Sequence, residues 1–138
     1  EITHNHPEGI KGAQATASAI FLARNKKNKD KIKEYIEKTY NYDLSSSWNE
    51  RKSQYRPNVI CQETVPASFI CFLEGNNFEE CIRFAVALGG DTDTQAAISG
   101  SIAEAFYGIP VEYKEKAFNY LTNDLKEIVK QFYEKYPV

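Results

Sequence analysis

The sequence predicts an all-α fold, and three observations carry that expectation. Apolar residues recur at three- and four-residue spacing in several segments. Proline, glycine and asparagine fall between those segments, where helices start and stop. No stretch of useful length alternates with the period-two pattern of a half-buried strand.

The first helix is PEGIKGAQATASAIFLAR, Pro7–Arg24. Pro7 suits a first turn, Glu8 the positive end of the helix dipole and Arg24 the negative end. Gly12, Ala15, Thr16 and Ala19 form a small-residue stripe that lets a neighbouring helix approach, and Ile20 and Phe21 supply bulk near the end. A second helix is expected over residues 28–40, with Ile32, Tyr35, Ile36 and Tyr40 on one face and lysine and glutamate on the other. Residues 41–64 are rich in turn formers and read mainly as loop, with one short helix over 48–55. A connection that long in a compact domain often carries function, and this one holds Tyr42, Trp48 and Tyr55.

Four further helices follow. TVPASFICFLEG has Pro66 in its expected first turn and Gly75 past its end. NFEECIRFAVALGG stops at Gly89-Gly90, and DTDTQAAISGSIAEAFYG stops at Gly108. The last, over 110–136, is long enough to hold two helices divided near Thr122-Asn123. The 138 residues fit one helical domain, and there are no internal repeats or low-complexity tracts.

Composition narrows the function classes. The chain is 42% hydrophobic and 26% charged, with a net charge of -2 spread along its length, so no basic patch points to nucleic acid or an anionic membrane. No apolar run approaches the ~20 residues that span a bilayer. Residues 1–13 lack the basic-then-apolar order of a signal peptide. Cys61, Cys71 and Cys81 are odd in number and match no CxxC zinc pattern, so they are expected to be reduced thiols in a cytoplasmic protein. The chain opens on Glu1 and contains no methionine, as a piece of a longer protein would.

The densest chemistry lies in GGDTDT, residues 89–94. Two readings stand side by side. In the first, Gly89-Gly90 ends one helix in left-handed backbone and Asp91 or Thr92 caps the next. One acid and one threonine satisfy that reading, which leaves Asp93 and Thr94 surplus. In the second, the oxygens of Asp91, Asp93 and Thr94 hold a hard cation such as Mg²⁺ or Mn²⁺. Residues two apart on a continuous helix point to nearly opposite sides, so Asp91 and Asp93 share an ion only if the backbone there is still irregular. The double glycine permits that. A helix N-terminus also repels a cation, so a tight site needs further acids, and the chain has no other acidic cluster of this density.

Two familiar acidic motifs are excluded. Counting from Asp91, an EF-hand would need glycine sixth and glutamate twelfth, where Ala96 and Ile102 stand. A DxDx(T/V) phosphatase motif would need threonine or valine where Gln95 stands, directly after a strand. Downstream, Ala96, Ala97, Gly100, Ala103 and Ala105 make a thin helix that can sit deep in a bundle and fix the acids rigidly.

LGGDTDTQAAISGSIAEAFYGIP resembles the C-terminal metal motif of the ADP-ribosylglycohydrolase family, which includes the enzyme that removes ADP-ribose from dinitrogenase reductase. THNHPEGIKGAQATASAIFLAR resembles that family's central histidine segment, and TVPASFICFLEGNNFEECIRFAVALGGDTDT continues the match in order. The resemblance covers nearly the whole chain. It implies the C-terminal portion of a compact all-α bundle with two divalent metals, Mg²⁺ or Mn²⁺, in a cleft between helices. It makes Asp91, Asp93 and Thr94 metal ligands and places His4 on the substrate side, in the frame Thr3-His4 to Gly9 to Gly12-Ala13. Tyr42, Trp48, Tyr55 and Tyr107 are candidates to stack on adenine, although packing explains each as well.

The implied activity is metal-dependent hydrolysis of the N- or O-glycosidic bond between ADP-ribose and a protein side chain or small acceptor. The implied partner is ADP-ribose or an ADP-ribosylated protein. The family's early Gly-Asp segment and its Thr-Asp-Asp motif are absent from these 138 residues, and with them the remaining metal ligands and the acid expected to assist water. No catalytic acid is therefore assigned within the chain, which reads as the C-terminal half of a larger domain. Half a bundle exposes apolar helix faces, so the isolated chain is expected to self-associate or to fold only marginally. The alternative is a non-catalytic ADP-ribose-binding or structural helical protein of the same descent.

Overall fold

The computed structural model describes residues 5–56 and 59–136. Eight α-helices account for most of them: α1 (Pro7–Arg24), α2 (Lys29–Tyr40), α3 (Trp48–Gln54), α4 (Cys61–Glu74), α5 (Phe78–Leu88), α6 (Thr92–Tyr107), α7 (Val111–Tyr120) and α8 (Asn123–Lys135). No strand is present among the described residues. The chain read from sequence as one domain forms two compact units, Glu1–Gly108 and Ile109–Val138.

Local chemistry accounts for most helix ends in the first unit. His6 Nδ1 accepts the Glu8 N–H ahead of α1, Asn28 accepts the Lys31 N–H ahead of α2, and Asn77 accepts the Glu80 N–H ahead of α5. Ser47 and Glu50 form a reciprocal capping box on α3, which is only seven residues long. Lys29 Nζ donates to the carbonyls of Leu73 and Gly75 at the end of α4, putting a cation where the helix dipole is negative.

Helix α4 starts at Cys61, one turn before the sequence expectation, so Pro66 lies beyond the first turn. The missing Pro66 N–H leaves the Gln62 carbonyl without its helical donor. Gln62 is exposed, so water can take that role. From Thr64 to Phe72 every residue of α4 is buried, as expected of a helix surrounded by others.

Helix α6 packs against α1, α4 and α5, and α1 also packs against α2 and α4. Gly12, Ala15, Ala19 and Ala23 form the buried stripe of α1. A methyl on Gly12 would stand 2.9 Å from Val65 Cγ2, so the α1–α4 approach needs its absence. Ile32, Ile36, Leu44, Phe69, Ile70, Phe72 and Ile102 fill the main core. Two sequence assignments fail here: Phe21 is 66% exposed and Tyr35 is also exposed. Each lies off the face that its helix turns inward, while Ala19 and Ala23 on α1 and Ile32 and Ile36 on α2 carry the burial.

The second unit holds α7 and α8, divided at Leu121-Thr122 close to the expected point. Neither helix buries a residue. Lys114 sits 4.1 Å from the Tyr133 ring centroid, a cation–π contact between the two helices. Leu125, Ile128 and Phe132 on α8, and Tyr136 just past its end, are all exposed.

Candidate metal centre

The backbone between α5 and α6 is irregular where the sequence required it to be. Gly89 and Gly90 take φ of 87° and 75°, left-handed values that side chains rarely adopt. Nothing lies within 4 Å of a Cβ built on Gly89, so its constraint is conformational rather than steric. Asp91 follows with φ -78° and ψ 65°, still outside helical geometry, and the helix begins at Thr92.

Asp91 occupies the N-cap position, yet its carboxylate caps no helix N–H among the described residues. Capping by Asp91 therefore does not explain the motif. Asp93 Oδ1 accepts the Thr94 N–H at 2.9 Å. The Asp93 carboxyl lies below the usual carboxylate range, first because the Asp91 carboxyl hydrogen-bonds to it and then because of the Thr94 N–H. The donor set of two carboxylates and a hydroxyl is one that hard divalent ions favour. Asp91 is half-buried, whereas Asp93 and Thr94 are exposed. Among the described residues no group of three or more His, Cys, Asp or Glu side chains is placed to hold a metal.

Beneath the acidic loop lies a small second core of Tyr55, Ala67, Cys71, Ala85 and Leu88, flanked by Trp48, Phe84 and Ala96. The Trp48 ring stacks on Phe84 at 4.8 Å and its Nε1–H donates to the Phe84 carbonyl at 3.1 Å. Tyr55 is buried and accepts Gln95 Nε2 at 2.7 Å. Burial pushes the Tyr55 phenol up; the Asp91 and Glu63 charges add to that, while the neighbouring Thr64 hydroxyl and Arg51 oppose it. Arg51 is itself ion-paired with Glu63 at 2.9 Å.

The aromatic candidates are engaged in packing. Tyr42 is buried with Lys11 over its ring, and burial pushes its phenol up to about 12. The Tyr107 hydroxyl donates to the Gly75 carbonyl at 2.8 Å. His4 lies outside the described residues. Cys71 and Cys81 are buried free thiols raised by burial to about 12 and about 11, and Cys61 is half-buried and free.

Sequence reasoning missed Gln95 and its link to Tyr55. The available signal was the helical repeat: Gln95, Ser99, Ile102 and Ala103 are the inward residues of α6, so an amide at the first of these positions is buried and needs partners.

The acidic, irregular helix start sits on a thin central helix, and the comparisons with known proteins agree on descent. The ADP-ribosylglycohydrolase family model matches residues 1–138, and the chain belongs to that family. ADP-ribosylarginine hydrolase Tri1 of Pseudomonas putida (strain GB-1) is 24% identical over 144 residues, covering 99% of this chain and 38% of the relative. ADP-ribosylhydrolase ARH3 of Homo sapiens is 29% identical over 87 residues, covering 53% of this chain and 24% of the relative. ARH3 of Danio rerio is 34% identical over 90 residues, covering 57% and 23%. The chain thus spans well under half the length of these curated relatives. No solved structure matches it significantly. No helix among the described residues is long and apolar enough to cross a membrane.

Proposed function

We propose that these residues form part of a metal-dependent hydrolase that cuts the N- or O-glycosidic bond joining ADP-ribose to a protein side chain or small acceptor. Asp91, Asp93 and Thr94 are its Mg²⁺ or Mn²⁺ ligands within this chain. The observation that carries the reading is the irregular helix start: Gly89 and Gly90 in left-handed backbone, then Asp91 outside helical geometry and not used as a cap, just ahead of Asp93 and Thr94. The relatives' names, ADP-ribosylarginine hydrolase and ADP-ribosylhydrolase, support the substrate class.

In this reading the chain works by placement. Gly89 and Gly90 keep the backbone out of helical geometry through Asp91, which frees Asp91 and Asp93 to turn toward one ion, and Thr94 adds an oxygen one residue on. A divalent cation, when bound, supplies positive charge that orients ribose hydroxyls and acidifies water. Water adds to the anomeric carbon, the bond to the acceptor breaks, and the acceptor leaves with a proton. The remaining metal ligands and the acid that assists water lie outside residues 1–138, in the N-terminal half of the same domain. His4 belongs to the substrate side, and the three reduced thiols suit the cytoplasm.

Calorimetry of the full-length protein with ADP-ribose and Mg²⁺, alongside an assay of ADP-ribose release, tests this reading. A hydrolase binds and turns over. Binding without turnover would make it a non-catalytic ADP-ribose binder, and neither would leave a structural role.

A further inference from the structure

We infer that Gln95, braced by Tyr55, is a positioning residue that holds the Gly89–Gly90–Asp91 loop in its cation-binding shape; this rests on the proposal that Asp91, Asp93 and Thr94 bind a divalent cation. Gln95 grips the loop at both ends. Its backbone N–H donates to the Asp91 carbonyl at 3.0 Å, and its side-chain Nε2 donates to the Gly89 carbonyl at 3.1 Å. The Gly90 carbonyl between them accepts the Thr92 N–H at 2.9 Å. All three loop carbonyls are therefore held, two of them by one residue. The loop needs such restraint because Gly89 and Gly90 are the residue type with the widest conformational freedom.

The Gly89 carbonyl only accepts, so the amide must present Nε2 to it, and the same nitrogen reaches the Tyr55 hydroxyl at 2.7 Å. Tyr55 ends α3 and sits in the core with Ala67 and Cys71 of α4 and Ala85 and Leu88 of α5, which anchors the clamp to three helices. The arrangement has a drawback. Gln95 is fully buried, and its Oε1 has no partner among the described residues. An orphaned buried carbonyl destabilises a fold, whereas an apolar side chain of similar volume would not. Gln95 is therefore a poor choice for core stability alone, and its value lies in the two bonds of its amide nitrogen.

That asymmetry separates positioning from packing. In the full-length protein, Gln95→Met keeps the volume and removes the Oε1 orphan, but releases the Gly89 carbonyl and takes a donor from the Tyr55 hydroxyl. Calorimetric titration with Mn²⁺ should then show affinity weakened by about 10-fold or more, the range seen when groups orienting metal ligands are removed. The melting temperature should change little, since one orphaned polar group is removed while the Tyr55 hydroxyl loses its donor, and amide exchange at residues 90–94 should quicken. Tyr55→Phe, which keeps the ring and removes the brace, should show the same pattern to a smaller degree. Unchanged Mn²⁺ affinity in Gln95→Met would overturn the inference and leave the cation reading standing. A fall in melting temperature that tracks the affinity loss would also overturn it, because the role would then be structural. Absence of Mn²⁺ binding in the unsubstituted protein would sink the cation reading, and this inference with it.

Discussion

Helices α6 and α8 make opposite use of their sequences. α8 gathers Leu125, Ile128 and Phe132 along one face, with Tyr136 just past its end, yet it buries none of its residues. α6 has a weak apolar face and packs against three helices, fully burying Gln95, Ser99, Ile102 and Ala103. Thinness explains the difference. A methyl on Gly100 would lie 2.7 Å from Ile82 Cδ1, so neighbours reach α6 where its side chains are small. An amphipathic face shows that a helix has something to cover, while a run of small residues shows that other helices can come close enough to cover it.

Substitutions sharpen that contrast, beginning with the largest effect. Ile102→Ala removes a fully buried side chain from α6 and should destabilise the first unit by about 2–5 kcal/mol in denaturant titration. A loss below ~1 kcal/mol would mean that α6 is less tightly enclosed than described.

The buried thiols beside α6 give an intermediate, pH-dependent effect. Burial raises Cys71 from 9.0 to about 12 and Cys81 from 9.0 to about 11. Above pH 9 the unfolded chain releases these protons while the folded chain keeps them, so stability present below pH 9 is lost as pH rises toward 12. Melting temperature should fall across that window, and Cys71→Ala should flatten the slope. A slope unaltered by the substitution would assign the loss to other groups, Tyr42 among them.

The smallest effect belongs to α8. Phe132 is 59% exposed, so Phe132→Ala should change the stability of the chain by no more than about 0.5 kcal/mol. A change comparable to that of Ile102→Ala would show that the α8 face is covered after all and would end the contrast.

Much of the fold was legible before any coordinates. Pro7 and Arg24 bound α1 as read, and Gly89 and Gly108 lie where two helices were expected to stop. These features are local, since a cap or a left-handed glycine needs only its neighbours. What was misread depended on distant contacts. Pro66 suggested a first turn, but nothing nearby marks the start at Cys61: Ile60 at the N-cap has no capping side chain. The site divides in the same way. The double glycine set the condition under which Asp91 and Asp93 could converge, whereas the Gln95–Tyr55 bond joins residues forty positions apart and leaves no local trace.

The central claim is that Asp91, Asp93 and Thr94 form the chain's share of a catalytic cation site. The most direct test is ADP-ribose release by the full-length protein at saturating Mg²⁺, with and without Asp91→Asn. The account predicts that release falls by about 100-fold or more while the melting temperature holds, since a ligand should matter at least as much as the groups that orient it. Normal Mg²⁺-dependent release by Asp91→Asn would contradict it.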